Sequence, residues 1–169
     1  MTVGTDSETG LTAERLREVL SYNQQTGIFR WRVSIRRTRT GMIAGCLDAH
    51  GYWRICIDQR HYKAHRLAWL YVYGEWPSDE LDHKDLCRSH NWISNLRVAG
   101  QAMNNANRKA YRNNKSGIKG IYSCQGRWRA MIRQNNKSMH LGCYDTPEEA
   151  HRAYCKAAAE LFGEFANAG

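Results

Sequence analysis

Between Leu81 and Arg108 the chain sets a carboxylate beside an imidazole, Asp82-His83, and follows them with asparagines at Asn91, Asn95 and Asn104. Asp82, Asn95 and Asn104 stand 13 and then 9 positions apart. An unperturbed imidazole titrates near ~6.5, so a neutral His83 could take a proton from water at cellular pH. Asp82 and Asn104 offer hard oxygen donors, which suit Mg²⁺ or Mn²⁺ better than soft metals and leave coordination positions open for substrate oxygens and water. An activated water and a sink for developing negative charge are what hydrolysis of a phosphodiester requires. Taken singly, each residue has a commoner structural explanation, because Asp-His pairs and asparagine-rich loops usually make turns. Neighbours on a strand point to opposite faces, so a bend is expected at Asp82-His83 if both are to meet one phosphate.

The rest of the chain must supply elements to hold these residues. Thr12 can cap a short helix whose apolar stripe would run through Arg15, Leu16, Val19 and Leu20. Residues 23–27 read as a turn, 28–32 as a strand and 34–45 as a basic loop carrying Arg36, Arg37 and Arg39. Residues 51–57 and 60–64 read as a hairpin turning at Asp58 and Gln59. A short apolar helix over 66–73 follows, stopped by Gly74 and Pro77. The polar run 113–117 reads as a linker. Beyond it lie three short antiparallel strands near 120–123, 127–133 and 139–144, then a helix capped at Thr146 with Pro147 in its first turn, running to Phe162.

Composition narrows the partners. The chain has 169 residues, a formal net charge of +9 and 25 Lys and Arg against 16 Asp and Glu. Residues 1–108 hold 15 basic and 11 acidic side chains, and 109–169 hold 10 and 5, so the excess is spread over the whole length. Such a balance fits a polyanionic partner. No apolar run approaches ~18 residues and no signal peptide is evident, so an intracellular protein without a membrane segment is expected. The six cysteines lack a C-x-x-C pair and read as reduced and mostly buried. Cys87 and His90 could be two zinc ligands, but no second pair stands at a suitable spacing.

The segment 81–108 resembles the HNH nuclease family, whose pattern runs Asp-His, then Asn-Leu-Arg, then a helix bearing another asparagine. Asp82-His83, Asn95-Leu96-Arg97 and Asn104 match these elements in turn, and Asn91 matches the family's Asn-x-x-x-Asn-Leu-Arg run. The resemblance implies a two-stranded ribbon and a helix gripping one divalent metal. It casts His83 as general base, Asp82 and Asn104 as metal ligands, and Asn95 as the residue that braces the loop and orients His83. Mg²⁺ is the expected metal, with Mn²⁺ the alternative. The family's final histidine is replaced by Asn104, as in many phage members. His65 also recurs in phage nucleases of this type, and a structural hydrogen-bonding role is expected for it. Arg97 and Arg108 are candidate DNA contacts.

Residues 116–162 resemble the APETALA2 (ethylene-response-factor) DNA-binding domain, in which a three-stranded sheet lies in the major groove and a helix supports it. The matching stretches are 116–121, 126–133, 141–150 and the alanine-rich helix ending at Leu161-Phe162-Gly163. Strand alternation points the same way: Trp128, Ala130 and Ile132 share one face, while Arg127, Arg129, Met131 and Arg133 share the other. Lys119, Arg127, Arg129, Arg133, Lys137 and His140 are therefore candidate DNA contacts. The sequence departs from the plant pattern at Tyr122, where arginine is common, at Met131, where glutamate is, and at His140, where tryptophan is. The plant target is not implied.

The sequence thus predicts an α+β protein. A nuclease domain over 1–112, with a β-rich N-terminal region and a ββα-metal core (motif 81–108), would precede an APETALA2-type domain over 113–169. The pairing resembles homing endonucleases of bacteriophages and implies a metal-dependent endonuclease acting on double-stranded DNA, favoured as a monomer, in the bacterial host cytoplasm if phage-encoded. The competing reading is a non-catalytic DNA-binding regulator with a nuclease-like fold. A more distant one is an RNA-binding protein with stacking aromatics.

Overall fold

The computed structural model describes residues 10–34, 38–110, 113–135 and 137–167. The polar residues 1–9, and Arg36 and Arg37 of the basic loop, lie outside the described residues. The chain is a mixture of helices and small sheets in two compact units, residues 1–98 and 99–169.

The first unit opens with α1 (Ala13–Val19), where the Thr12 hydroxyl accepts the Arg15 N–H at 3.2 Å and satisfies one orphan amide of the first turn. Its apolar stripe is narrower than the sequence suggests. Leu16 and Val19 are buried, but Arg15 is exposed and ion-paired with Asp58 and Glu18. Leu20 leaves the helix to begin β1 (Leu20–Tyr22), which pairs antiparallel with β2 (Phe29–Trp31). A three-residue strand is too short to show alternation, so β1 left no signal in the sequence. A second sheet takes the order β3 (Cys46–Leu47), β4 (Trp53–Ile57) and β5 (Arg60–Lys63), all antiparallel. Asp58 and Gln59 join β4 to β5 with φ of 47° and 66°, the pair of positive values a two-residue hairpin needs.

Helix α2 (Ala64–Tyr73) starts two residues earlier than the sequence suggests, which brings His65 into its first turn. Gly74 ends it in the left-handed region, with its N–H returned to Leu70. Leu16, Phe29, Ile55, Ile57, Leu67 and Leu70 form the heart of the core. Full burial of each such side chain contributes roughly 1.5–3 kcal/mol. Beyond α2 comes an antiparallel ribbon of β6 (Leu81–His83) and β7 (Leu96–Val98), with a 3-10 turn over Ile93–Asn95 leading into its second strand.

The second unit holds α3 (Gln101–Asn107), β8 (Ile121–Cys124), β9 (Arg127–Gln134), β10 (Lys137–Tyr144) and α4 (Pro147–Phe162). The sheet is antiparallel in the order β10-β9-β8, with a bulge between His140 and Gly142. Ile121, Ala130 and Ile132 from the sheet pack with Ala150, Tyr154, Ala158 and Phe162 from α4, as the alternation in β9 predicts. Gly120 has φ +73°, and a Cβ there would stand 2.2 Å from the Tyr154 ring, so the start of β8 requires glycine. The polar run 113–117 is tied into this unit: Asn114 Nδ2 donates to the Ile118 carbonyl at 2.7 Å and Ser116 Oγ to that of Ile121 at 2.7 Å.

The cysteines correct the sequence reading. All six are free and none is buried: Cys46, Cys56 and Cys143 are exposed, and Cys87, Cys124 and Cys155 are half-buried. Among the described residues no helix is long and apolar enough to cross a membrane.

Candidate active site

The ribbon positions Asp82 and His83 by its register. Asp82 stands opposite Arg97, and His83 opposite Leu96. The strand runs through both residues without the bend the sequence suggested, so the alternation holds and their side chains take opposite faces. His83 is the last residue of β6, and the chain turns immediately after it, with the Leu86 N–H donating to the His83 carbonyl at 3.0 Å.

On one face, Asp82 Oδ2 accepts from Arg97 Nε at 3.0 Å and from Nη2 at 2.9 Å, with both side chains nearly buried at 12% and 10% exposure. The candidate metal carboxylate and the candidate DNA arginine are therefore engaged with each other. On the other face, His83 is 5% exposed, and its Nε2 lies 3.3 Å from Asn91 Oδ1. Asn91 Nδ2 donates to the Ser89 carbonyl at 3.0 Å, which fixes the amide so that its oxygen meets the imidazole. An amide oxygen only accepts, so His83 carries its proton on Nε2, and Nδ1 is the basic nitrogen. Burial pushes the His83 pKa below the ordinary histidine range, against the pull of the Asn91 hydrogen bond and of Asp85 and Asp82. The ring is thus neutral at neutral pH, as a proton acceptor must be.

Asn91 is itself held from the β1–β2 hairpin. The Tyr22 hydroxyl donates to the Asn91 carbonyl at 2.6 Å. A Cβ at Gly27, where φ is +71°, would stand 2.4 Å from the Asn91 carbonyl carbon. That close approach requires glycine in the hairpin turn. Asn95, expected to brace the loop and orient His83, is bonded to the loop that follows His83. Asn95 Nδ2 donates to Asp85 Oδ1 and to the His90 carbonyl, each at 2.9 Å, and its Oδ1 accepts the Asp85 N–H at 3.1 Å. His90 Nδ1 meets Asp85 Oδ2 at 2.6 Å. Burial raises the Asp85 pKa, but His90, the Cys87 N–H and Asn95 together outweigh it and hold the carboxyl below its usual range. Cys87 meets Ser89 at 3.3 Å, so it and His90 are each engaged apart from the other.

Sequence reasoning missed the aromatic surroundings of His83. The His65 ring stands edge-on to it with centroids 5.0 Å apart, and the Tyr52 ring lies 5.3 Å from His65 and 6.3 Å from His83. His65 is 5% exposed, and its Nδ1 is buried without a hydrogen-bond partner among the described residues. Burial, then the neighbouring His83, Lys63 and Arg66, push its pKa well below the ordinary value. A hydrogen-bonded structural histidine was expected; the structure shows one packed by rings. Asn91 could have been found from its place in the motif. Nothing in sequence spacing links Tyr52 to His83.

The remaining candidate residues belong to the second unit. Asn104 lies half-buried in α3, and Arg108 follows the helix, with Nη1 3.4 Å from Asn105 Oδ1. Lys119 is turned inward: its ammonium donates to the carbonyls of Ala106 and Asn167, and burial lowers its pKa to about 8. Arg127 pairs with Asp145 at 2.8 Å, and Arg129 Nη2 donates to Cys124 Sγ at 3.1 Å. Arg133, Lys137 and His140 are exposed. Among the described residues no cluster of three or more His, Cys, Asp or Glu side chains could hold a metal. Asp82 offers a carboxylate and Asn104 an amide oxygen, each a hard donor of the kind that suits a divalent ion.

Comparison with known proteins bears on this region. Residues 62–106, which include His65, Asp82, His83, Asn91, Asn95 and Asn104, match the family model described as HNH endonuclease. An uncharacterized HNH endonuclease of Acanthamoeba polyphaga mimivirus is 34% identical over 122 residues, covering 71% of this chain and 63% of the viral protein. Residues 62–106 are therefore similar to the HNH endonuclease family domain, and the chain spans less than two thirds of the viral relative it matches.

Proposed function

We propose that this protein is a metal-dependent DNA endonuclease, with its cutting site on the ribbon of β6 and β7 and a DNA reader in residues 113–169. The observation that carries the reading is the state of His83: buried, neutral, and fixed by Asn91 so that Nδ1 is its basic nitrogen. In the proposed mechanism Nδ1 takes the proton of the attacking water. Asn91 keeps the ring in the competent tautomer, and Asn95 keeps the following loop in place. Asp82 and Asn104 would hold one divalent cation, Mg²⁺ first, and that ion would supply stabilisation of the charge developing on the phosphate. Because Asp82 and His83 take opposite faces of β6, serving one phosphate would require the end of that strand to bend when substrate binds. Arg97 steadies the Asp82 carboxylate and limits its rotation. In the reader, the exposed Arg133, Lys137 and His140 are the side chains best placed for DNA, with Arg127 and Arg129 available once their present partners are exchanged for phosphate.

Homing is the biological role that pairing a nuclease with a reader suggests. The rival, a DNA-binding protein that does not cut, is favoured by one observation, the double hold of Arg97 on Asp82. Incubating the protein with plasmid and linear duplex DNA in Mg²⁺, Mn²⁺ or EDTA separates the two. Cleavage in Mg²⁺ that stops in EDTA and in Asp82→Ala is expected. Cleavage persisting in EDTA would remove the metal from the mechanism, and tight binding with no cleavage in either metal would favour the rival.

A further inference from the structure

Tyr52 is the centre of a feature that the proposed chemistry does not use. Its backbone is pinned by Asp48, whose Oδ1 accepts the N–H of His50 at 2.8 Å and that of Tyr52 at 3.0 Å. Two cations lie over its ring: Lys63 Nζ at 4.4 Å from the centroid and the Arg88 guanidinium at 5.0 Å. Arg88 is anchored there by Nη1 donating to the His50 carbonyl at 2.9 Å. Both residues are exposed, and among the described residues neither forms an ion pair. Lys63 also stands directly opposite Arg54 in the β4–β5 register, a like-charge pairing that costs stability in an isolated sheet. The same ring that carries the two cations lies 6.3 Å from the His83 ring.

We propose that Lys63 and Arg88, held over Tyr52, form a phosphate-binding site for duplex DNA beside the strand to be cut. Each grips a backbone phosphate near the one presented to His83. The inference rests on the nuclease reading for the identity of the polyanion. The geometry suits the task. Cations lodged on an aromatic face have lost part of their freedom before DNA arrives, so less entropy is lost on binding. Lys63 Nζ lies 4.4 Å and the Arg88 guanidinium 5.0 Å from the Tyr52 ring centroid, which is itself 6.3 Å from the His83 ring, so both charges are within reach of phosphates close to the one presented to His83. A polyanion would also relieve the repulsion between Lys63 and Arg54. Such contacts fix the register of the duplex and carry no sequence information.

The test measures binding of the full chain to one duplex in EDTA, where no cut occurs, across a salt series. The proteins compared are wild type, Lys63→Gln, Arg88→Gln, the double variant and Lys63→Arg. Each single loss should flatten the dependence of log affinity on log salt by ~0.9 and weaken binding roughly threefold to tenfold, with the double variant losing about twice the slope. Lys63→Arg should keep the wild-type slope. In Mg²⁺ the same variants should raise KM and leave kcat within about twofold, because uniform binding is lost while the chemistry is kept. A double variant with wild-type slope and KM would overturn the site. So would an RNA duplex that displaces the DNA at lower concentration than a DNA competitor. If wild type never cuts but the slopes fall as stated, the nuclease reading fails and the phosphate site stands.

Discussion

The polar side chains around His83 and those on the outward face of β9 and β10 are arranged on different plans. Around His83 they are buried and interlocked. Asn91 and Asn95 are 3% and 5% exposed, and their amides are engaged by partners no more than 10 positions away in the chain. On the outward sheet face Arg133 and His140 reach into solvent, and the Arg127–Asp145 pair is more than half exposed and contributes little to stability. The difference matches two kinds of work. Proton transfer depends on atoms fixed within a fraction of an ångström, which only a satisfied network provides. Gripping a phosphate backbone depends on charge, tolerates movement and is sensitive to salt.

The largest expected effect breaks the first plan at its centre. His83→Ala should reduce the cleavage rate by ~10²–10⁴, the usual contribution of a general base, while DNA affinity stays within a few-fold of wild type. Single-turnover cleavage and a binding isotherm on the same duplex check both halves. Wild-type rates would remove His83 from the chemistry.

The next effect separates the units. A chain ending at Asn113 should keep the β6–β7 ribbon and bind DNA much more weakly, with a salt dependence shallower by ~0.9 for every phosphate that the shortened chain no longer neutralises. Arg133→Ala should reproduce part of that weakening. Lys119→Ala should not, because its ammonium already serves two backbone carbonyls, and its removal should lower the melting temperature instead. Unchanged slopes in the shortened chain would assign DNA recognition to the first unit.

These comparisons also mark what the sequence could reveal. The strand alternation of β9 was legible because one face meets α4 and the other meets solvent, and the Thr12 and Thr146 caps were legible because capping is local. The asparagine spacing brought out Asp82, His83 and Asn104 as candidates for the same reason. Asn91 was legible as a motif match, but its contact with His83 was not. That contact depends on a hairpin turn at Gly27 packing against Asn91 from far along the chain, and nothing local in either segment encodes it. Lys119 misled in the same way, since a lysine's sequence neighbours do not say whether its ammonium faces water or helix-end carbonyls.

Asn91→Ala tests that hidden link at intermediate size. It leaves the buried His83 Nε2–H without its acceptor, a loss on the order of 1–3 kcal/mol, and lets the ring change tautomer. A fall of roughly tenfold in kcat with KM unchanged is expected, together with a shift in the imidazole ¹⁵N resonances of His83. Asn91→Asp, which still accepts, should recover most of the rate. Loss of stability with normal kcat in the surviving fold would make Asn91 a purely structural residue.

The smallest expected effect concerns His65, which the same network leaves buried and neutral. Its folded pKa lies well below the ordinary value, chiefly through burial, with His83, Lys63 and Arg66 adding to the shift. Between that depressed value and ~6.5 the unfolded chain binds the proton and the folded chain does not, so stability rises with pH across this window. It is fully retained above ~6.5 and lost progressively on acidification, at no more than ~1.4 kcal/mol per pH unit for a single site. His65→Leu removes the titrating group while keeping an apolar side chain under Tyr52. Its melting temperature should therefore fall less between pH 7 and pH 5 than that of wild type, whatever the two values are at pH 7. The slope is the readout, because packing changes alter the level at every pH alike. Equal slopes would mean that His65 takes up its proton in the folded chain as readily as in the unfolded one. The ring cluster of Tyr52, His65 and His83 would then be open to water, and the neutrality of His83 would need another cause than burial.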